Sequence, residues 1–213
     1  MDVTHILENL NDRQREAVTA PVGNALVVAG AGSGKTRVLV HRIAWLIEAE
    51  QASPQGILAV TFTNKAAAEM RLRIEELLRI SVRTMWVGTF HGIAHRLLRM
   101  HWQEARLPQN FQILDADDQL RLVKRVMRAL DIDEQKWSPR QAVWFINSQK
   151  DEGRRAQHLD DGGDPYQKQM IRIYQRYQEA CERTGAVDFA ELLLRAHELW
   201  RDRPDVLQHY QQR

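Results

Sequence analysis

The residues with the clearest chemistry run from Ala29 to Thr36, Ala-Gly-Ala-Gly-Ser-Gly-Lys-Thr. Gly30, Gly32 and Gly34 leave the backbone free to curl and to bring its N–H groups close to an anion, where a side chain would intervene. A helix starting at about Gly34 would add unpaired N-terminal donors and the positive end of its dipole. Lys35 contributes a point charge suited to β- and γ-phosphates, and Thr36 a hydroxyl suited to Mg²⁺. The general pattern G-x-x-x-x-G-K-[ST] has glycine where this chain has Ala29, so the loop is a variant. The competing reading is a structural turn with Lys35 solvated. The residues on either side favour a phosphate loop.

On the N-terminal side, Ala25 to Ala29 form a continuous apolar run of strand length; on the other, Val38, Leu39, Ile43, Leu46 and Ile47 repeat at helical spacing over residues 34 to 49. Further upstream, residues 10 to 18 predict a short helix capped by Asn11 or Asp12, with Gln14 in its first turn. A glutamine amide offers the donor and acceptors that the edge of adenine needs. Downstream, Ser53-Pro54-Gln55-Gly56 marks a turn, and residues 57 to 62 and 85 to 90 predict two more strands separated by a helix. Strand-helix-strand alternation predicts a parallel sheet with ligands at its carboxyl edge. There the chain places Thr61, Phe62, Thr63, Asn64 and Lys65 after one strand, and Thr89, Phe90 and His91 after the next. Aromatic rings suit stacking on bases, and the polar residues suit phosphates. The alternative makes Phe62 core, Asn64 a helix cap and His91 a satisfied helix-start histidine.

Beyond about residue 104 the pattern becomes helical only. Asp115 with Asp118, Ser138-Pro139 with Gln141, Asp164-Pro165, and Asp188 with Glu191 are four helix-start signals. Lys150 to Asp164 reads as a polar, mobile linker. Overall, 44% hydrophobic and 27% charged residues indicate a globular chain, and no apolar run approaches a membrane span. A net charge of +2 does not by itself argue for nucleic acid. Residues 71 to 106 do carry seven arginines against three glutamates, which fits either a solvated face or a phosphate-tracking one. Cys181, the only cysteine, has no partner for an intrachain disulfide and no ligand-spaced neighbours. No strand ends in the Asp-Glu pair that ATP hydrolysis needs for Mg²⁺ and water. Asp115 and Asp188 read as caps, and the chain is expected to be a piece of a longer protein.

Taken together, these motifs resemble those of the UvrD/PcrA/Rep family of superfamily 1 DNA helicases. Leu10 to Val18 is similar to the family's Q motif, with Gln14 as adenine reader. Ala29 to Thr36 is similar to motif I, with Arg37 beside it as a further nucleotide contact. Thr61 to Met70 resembles motif Ia, and Thr89-Phe90-His91-Gly92 motif Ib, both single-strand DNA contacts; Val187 to Leu193 resembles a further family segment. The resemblance implies an α/β fold, a partial RecA-like P-loop parallel sheet over residues 1–103 with an all-helical inserted domain over 104–213. It also implies ATP and Mg²⁺ as cofactors, and single-stranded DNA, single/double-strand junctions and DNA repair proteins as partners. Movement would run 3′ to 5′ in excision and mismatch repair, in a cytoplasmic, nucleoid-associated protein without membrane contact. The other readings are a nonenzymatic nucleotide- or DNA-binding module, a Rep- or PcrA-like helicase, and, more remotely, a P-loop small-molecule kinase.

Overall fold

A computed structural model describes residues 3–212. The chain divides into two compact units, one reaching to Ile93 and joined by the residues from Gln211 on, the other formed by Ala94–Tyr210.

In the first unit, α1 (Thr4–Leu7) and α2 (Asp12–Thr19) precede α3 (Lys35–Glu48), followed by β1 (Leu58–Thr61), α4 (Asn64–Leu78), β2 (Trp86–Thr89) and the start of α5 (Phe90–Met100). β1 and β2 pair in parallel, Leu58 opposite Trp86 and Thr61 opposite Thr89. A parallel pair needs a crossover, and α4 supplies it. Ile6, Val18, Ile43, Ala44 and Ile74, all fully buried or nearly so, bring the helices together around one core. Asn11 is the cap of α2, in a capping box with Gln14.

One expected strand does not form. Ala25 to Ala29 have no strand conformation, and Leu26 and Val28 are 89% and 87% exposed. An apolar run becomes a strand only when a neighbour takes up its N–H and C=O groups, and among the described residues none lies beside it.

The second unit holds β3 (Gln112–Ile113), α6 (Ala116–Ala129), α7 (Pro139–Asp151), α8 (Pro165–Thr184), β4 (Ala186–Val187), α9 (Phe189–Asp202) and α10 (Pro204–Gln211). All four expected helix starts are N-caps: Asp115, Ser138, Asp164 and Asp188. The region is not purely helical, because β3 and β4 form a two-residue parallel ladder. Asp115 and Asp188 follow these strands closely and cap α6 and α9.

The stretch from Lys150 to Asp164 is not a free linker. Lys150 and Arg155 are buried, and Ala156–His158 forms a 3-10 turn. Lys150 Nζ donates to Asp188 Oδ2 at 2.7 Å and lies 3.0 Å from Glu191 Oε2. Arg155 donates to both Glu191 oxygens and to Glu198. Tyr177 and Gln119 donate to the same Asp188 oxygen, so α6, α7, α8 and α9 meet at one carboxylate. Burial alone would raise the Glu191 carboxyl, yet Lys150, Arg155 and Arg195 hold it well below the usual carboxylate range. Burial likewise opposes charge on Lys150, but Glu191 and Asp188 keep its ammonium above the ordinary lysine value. Charges this deep persist only because each has its partner.

Candidate nucleotide and nucleic-acid site

The phosphate loop is built by glycine geometry. Gly32 and Gly34 have φ of +75° and +88°, a region that L side chains rarely occupy. Ser33 closes the turn, its N–H and Oγ both donating to Gly30 O, at 3.4 and 2.7 Å. Gly34 is then the N-cap of α3, with no side-chain cap. The first-turn amides of Lys35, Thr36 and Arg37 therefore have no intrahelical acceptor and are available to an anion. Lys35 Nζ donates to Ala29 O at 2.9 Å and Gly30 O at 2.6 Å, which holds the ammonium against the loop. Ala31 and Thr36 are exposed beside it.

Gln14 meets this loop directly. Its Nε2 donates to Ser33 O at 3.0 Å, while its Oε1 accepts from Asn11 N–H at 3.2 Å. A Cβ on Gly34 would fall 2.8 Å from Gln14 Nε2, so φ favours glycine there and any side chain would displace the Gln14 amide. Arg37, the sequence's other nucleotide candidate, donates to Asn9 O at 3.3 Å.

Beside the loop lies a cavity of about 850 Å³, lined by Gln14, residues 32 to 37, Val40, His41 and four α4 residues, Glu69, Arg73, Glu76 and Leu77. The volume lies within the range of small-molecule and cofactor sites. Sequence reasoning did not place His41, Glu69, Arg73 or Glu76 at the nucleotide site. Their signal was available for α4: residues 69, 73 and 76 recur at i, i+4 and i+7, one exposed polar stripe flanking the side that carries the buried Met70 and Ile74. Arg73 pairs with Glu69 within that face.

At the carboxyl edge, strand register decides the geometry. Thr61 is opposite Thr89, so the residues after them, Phe62 and Phe90, emerge side by side with ring centroids 5.7 Å apart and planes tilted by 44°. Within this chain Phe62 is 89% exposed. Thr63, not Asn64, caps α4, its Oγ1 accepting from Ala66 N–H at 3.1 Å. Asn64 and Lys65 are exposed on the first turn. Thr89 Oγ1 accepts from Gly92 N–H at 3.1 Å, and His91 is half-buried. Two members of the arginine surplus are held by backbone carbonyls within their own units. Arg71 donates to Val87 O, and Arg99 to the carbonyls of Gln109 and Phe111.

Residues 10–213 match the UvrD/REP helicase N-terminal domain, and the chain belongs to that family. It is 64% identical over its whole length to DNA helicase II of Escherichia coli K12 and 57% identical to DNA helicase II of Haemophilus influenzae. Across 97% of its length it is 38% identical to the ATP-dependent DNA helicase PcrA of Staphylococcus epidermidis. The chain spans 30% of the length of the first two relatives and 28% of the third. Among the described residues no helix is long and apolar enough to cross a membrane.

Proposed function

We propose that this chain is the ATP-binding and single-strand-gripping part of an ATP-dependent DNA helicase. The observation that carries the reading is the pairing of Gln14 with the phosphate loop at Ser33. It brings a base-reading amide and an anion cradle to the same cavity.

The residues fit ATP with Mg²⁺. Gly30 and Gly32 have open space at their Cβ positions, so the backbone is accessible to a phosphate. Lys35 carries the neutralising charge, Thr36 offers a hydroxyl to the metal, and Gln14 faces the base. Ala29, Ala31 and Ser33 complete the loop, and Arg37 and Arg73 flank it. When bound, ATP supplies the free energy of phosphoryl transfer; these residues hold and orient it. Phe62 and Phe90 stack on unpaired bases, with Thr61, Thr63, Asn64, Lys65, Thr89 and His91 around them near the phosphodiester backbone.

The reading treats residues 1–103 as part of a RecA-like motor domain and 104–213 as its helical insertion. Ala25 to Ala29 would then be a central strand whose neighbours belong to the longer protein, which accounts for its exposed apolar side chains. Through the family the reading extends to 3′-to-5′ movement, action at single/double-strand junctions, repair-protein partners in excision and mismatch repair, and a cytoplasmic, nucleoid-associated location. Among the described residues no strand end carries the Asp-Glu pair. That favours, for the chain alone, binding of nucleotide and DNA without turnover.

Steady-state ATP hydrolysis with and without single-stranded DNA is the test. The longer protein should show DNA-stimulated turnover that Lys35→Ala abolishes, and the chain alone should bind a fluorescent ATP analogue without turnover. A longer protein whose hydrolysis ignores both DNA and Lys35 would refute the reading.

A further inference from the structure

We propose that Arg42 is a positioning residue for nucleobase recognition, clamping the carboxyl end of α2 onto α3 and so fixing where Gln14 points. The inference rests on the reading of Gln14 as the adenine contact.

Arg42 lies on α3 seven residues beyond Lys35, about 10 Å along the axis at ~1.5 Å per residue. It does not line the cavity. Its Nη1 donates to Val18 O at 2.8 Å and Ala20 O at 2.5 Å, and its Nη2 to Pro21 O at 3.1 Å. These carbonyls lie at and just beyond the last turn of α2, where intrahelical partners run out and partial negative charge accumulates. The last turn of α2 has no basic residue of its own. A planar guanidinium with five N–H donors spans three carbonyls in a way that a point-like ammonium does not.

The other end of α2 is held through Gln14, whose Nε2 bonds to Ser33 O. The two helices therefore run side by side in the same sense, pinned at one end by an amide and at the other by a guanidinium. With eight residues, α2 is too short to keep its own geometry and depends on such anchors. Buried Val18 keeps the helix attached when Arg42 is lost. What the clamp controls is the pitch of α2 against the phosphate loop, and with it the position of the Gln14 amide. The adjacent α3 side chain does comparable work on α1: His41 Nδ1 lies 2.5 Å from Ile6 O. Helix α3 thus carries the phosphate loop at its start and, along its length, the groups that hold the two helices in front of it.

The experiment uses the full-length protein, with Arg42→Met, Arg42→Lys, Gln14→Ala and the Gln14→Ala/Arg42→Met double variant. Equilibrium affinity is measured for ATP, GTP and tripolyphosphate, which has no base. Arg42→Met should weaken ATP binding about 3- to 10-fold, the scale of one misplaced hydrogen bond. It should also narrow the ATP-over-GTP preference, leave tripolyphosphate affinity unchanged, and raise KM for ATP with little change in kcat. The double variant should lose no more than Gln14→Ala alone, and Arg42→Lys should recover part of the preference. If Arg42→Met does not fold, Arg42→Lys against Gln14→Ala makes the same comparison. An unchanged ATP-to-GTP ratio in the Arg42 variants, with Gln14→Ala losing it, overturns the inference and leaves the Gln14 reading standing. Equal loss of tripolyphosphate affinity also overturns it, since the effect would then be general loosening of the loop. A Gln14→Ala protein that still prefers ATP refutes the adenine reading itself, and this inference with it.

Discussion

The rings of Phe62 and Phe90 sit 5.7 Å apart because Thr61 and Thr89 are paired across a parallel ladder. Each ring is the residue immediately after its strand, so neither can shift along the edge without the ladder shifting too. The spacing of the two exposed rings is therefore set by backbone hydrogen bonds rather than by side-chain packing.

Phe62→Ala should therefore weaken single-stranded DNA binding without harming the fold, since 89% of that residue is exposed. The expected loss is about 1–3 kcal/mol, the range for removing one base-stacking aromatic. Fluorescence anisotropy of labelled DNA across a salt series reads it: affinity falls at every salt concentration, while the slope of log K against log salt is retained. Equal binding by both proteins would show that the ring does not stack on DNA in this chain.

Gly34→Ala should damage nucleotide binding more than its single methyl would suggest. At φ +88° an alanine is strained by about 1–2 kcal/mol, and its Cβ would press on Gln14 Nε2. Both the loop and the Gln14 amide move, so titration with a fluorescent ATP analogue should show loss for ATP and tripolyphosphate alike. That outcome contrasts with the selective effect expected at Arg42.

In the second unit, Lys150→Ala removes the cation between Asp188 and Glu191 and leaves Asp188 without its ion-pair partner. Breaking one partner of a buried pair costs about 3–5 kcal/mol, which urea unfolding followed by tryptophan fluorescence would detect. A shift under about 1 kcal/mol would mean that water reaches the cluster.

Acid should weaken the same cluster. The Glu191 carboxyl is held below its ordinary value of 4.5, so the native state binds its proton less readily than the unfolded chain does. Its contribution is complete above that ordinary value and is lost progressively as pH falls below it. Thermal unfolding between pH 6 and pH 2 should show this decline. Glu191→Gln should be less stable at neutral pH but have a shallower acid slope, and an unaltered slope would assign the acid sensitivity to other carboxylates.

Features set by near neighbours in the chain were legible in the sequence. The cap of α2, expected at Asn11 or Asp12 and found at Asn11, the caps Asp115, Ser138, Asp164 and Asp188, and the glycine turn of residues 30 to 34 each follow from a few adjacent residues and from which backbone angles they permit. The family resemblance, carried by residues 29 to 36, 61 to 70 and 89 to 92, was equally local, and the family match agrees with it. What depended on distant partners was not legible. Ala25 to Ala29 read as a strand, yet a strand exists only where another supplies its hydrogen bonds. Lys150 and Arg155 read as linker charges, because nothing near them shows that Asp188, Glu191 and Glu198 fold over them. The contact of Gln14 with Ser33, the register that pairs Phe62 with Phe90, and the clamp from Arg42 to the end of α2 join residues 19 to 28 positions apart. The sequence supplied the chemical groups, and only the tertiary structure decided which of them meet, because burial and hydrogen-bond partnership are properties of the folded chain and not of its neighbouring residues.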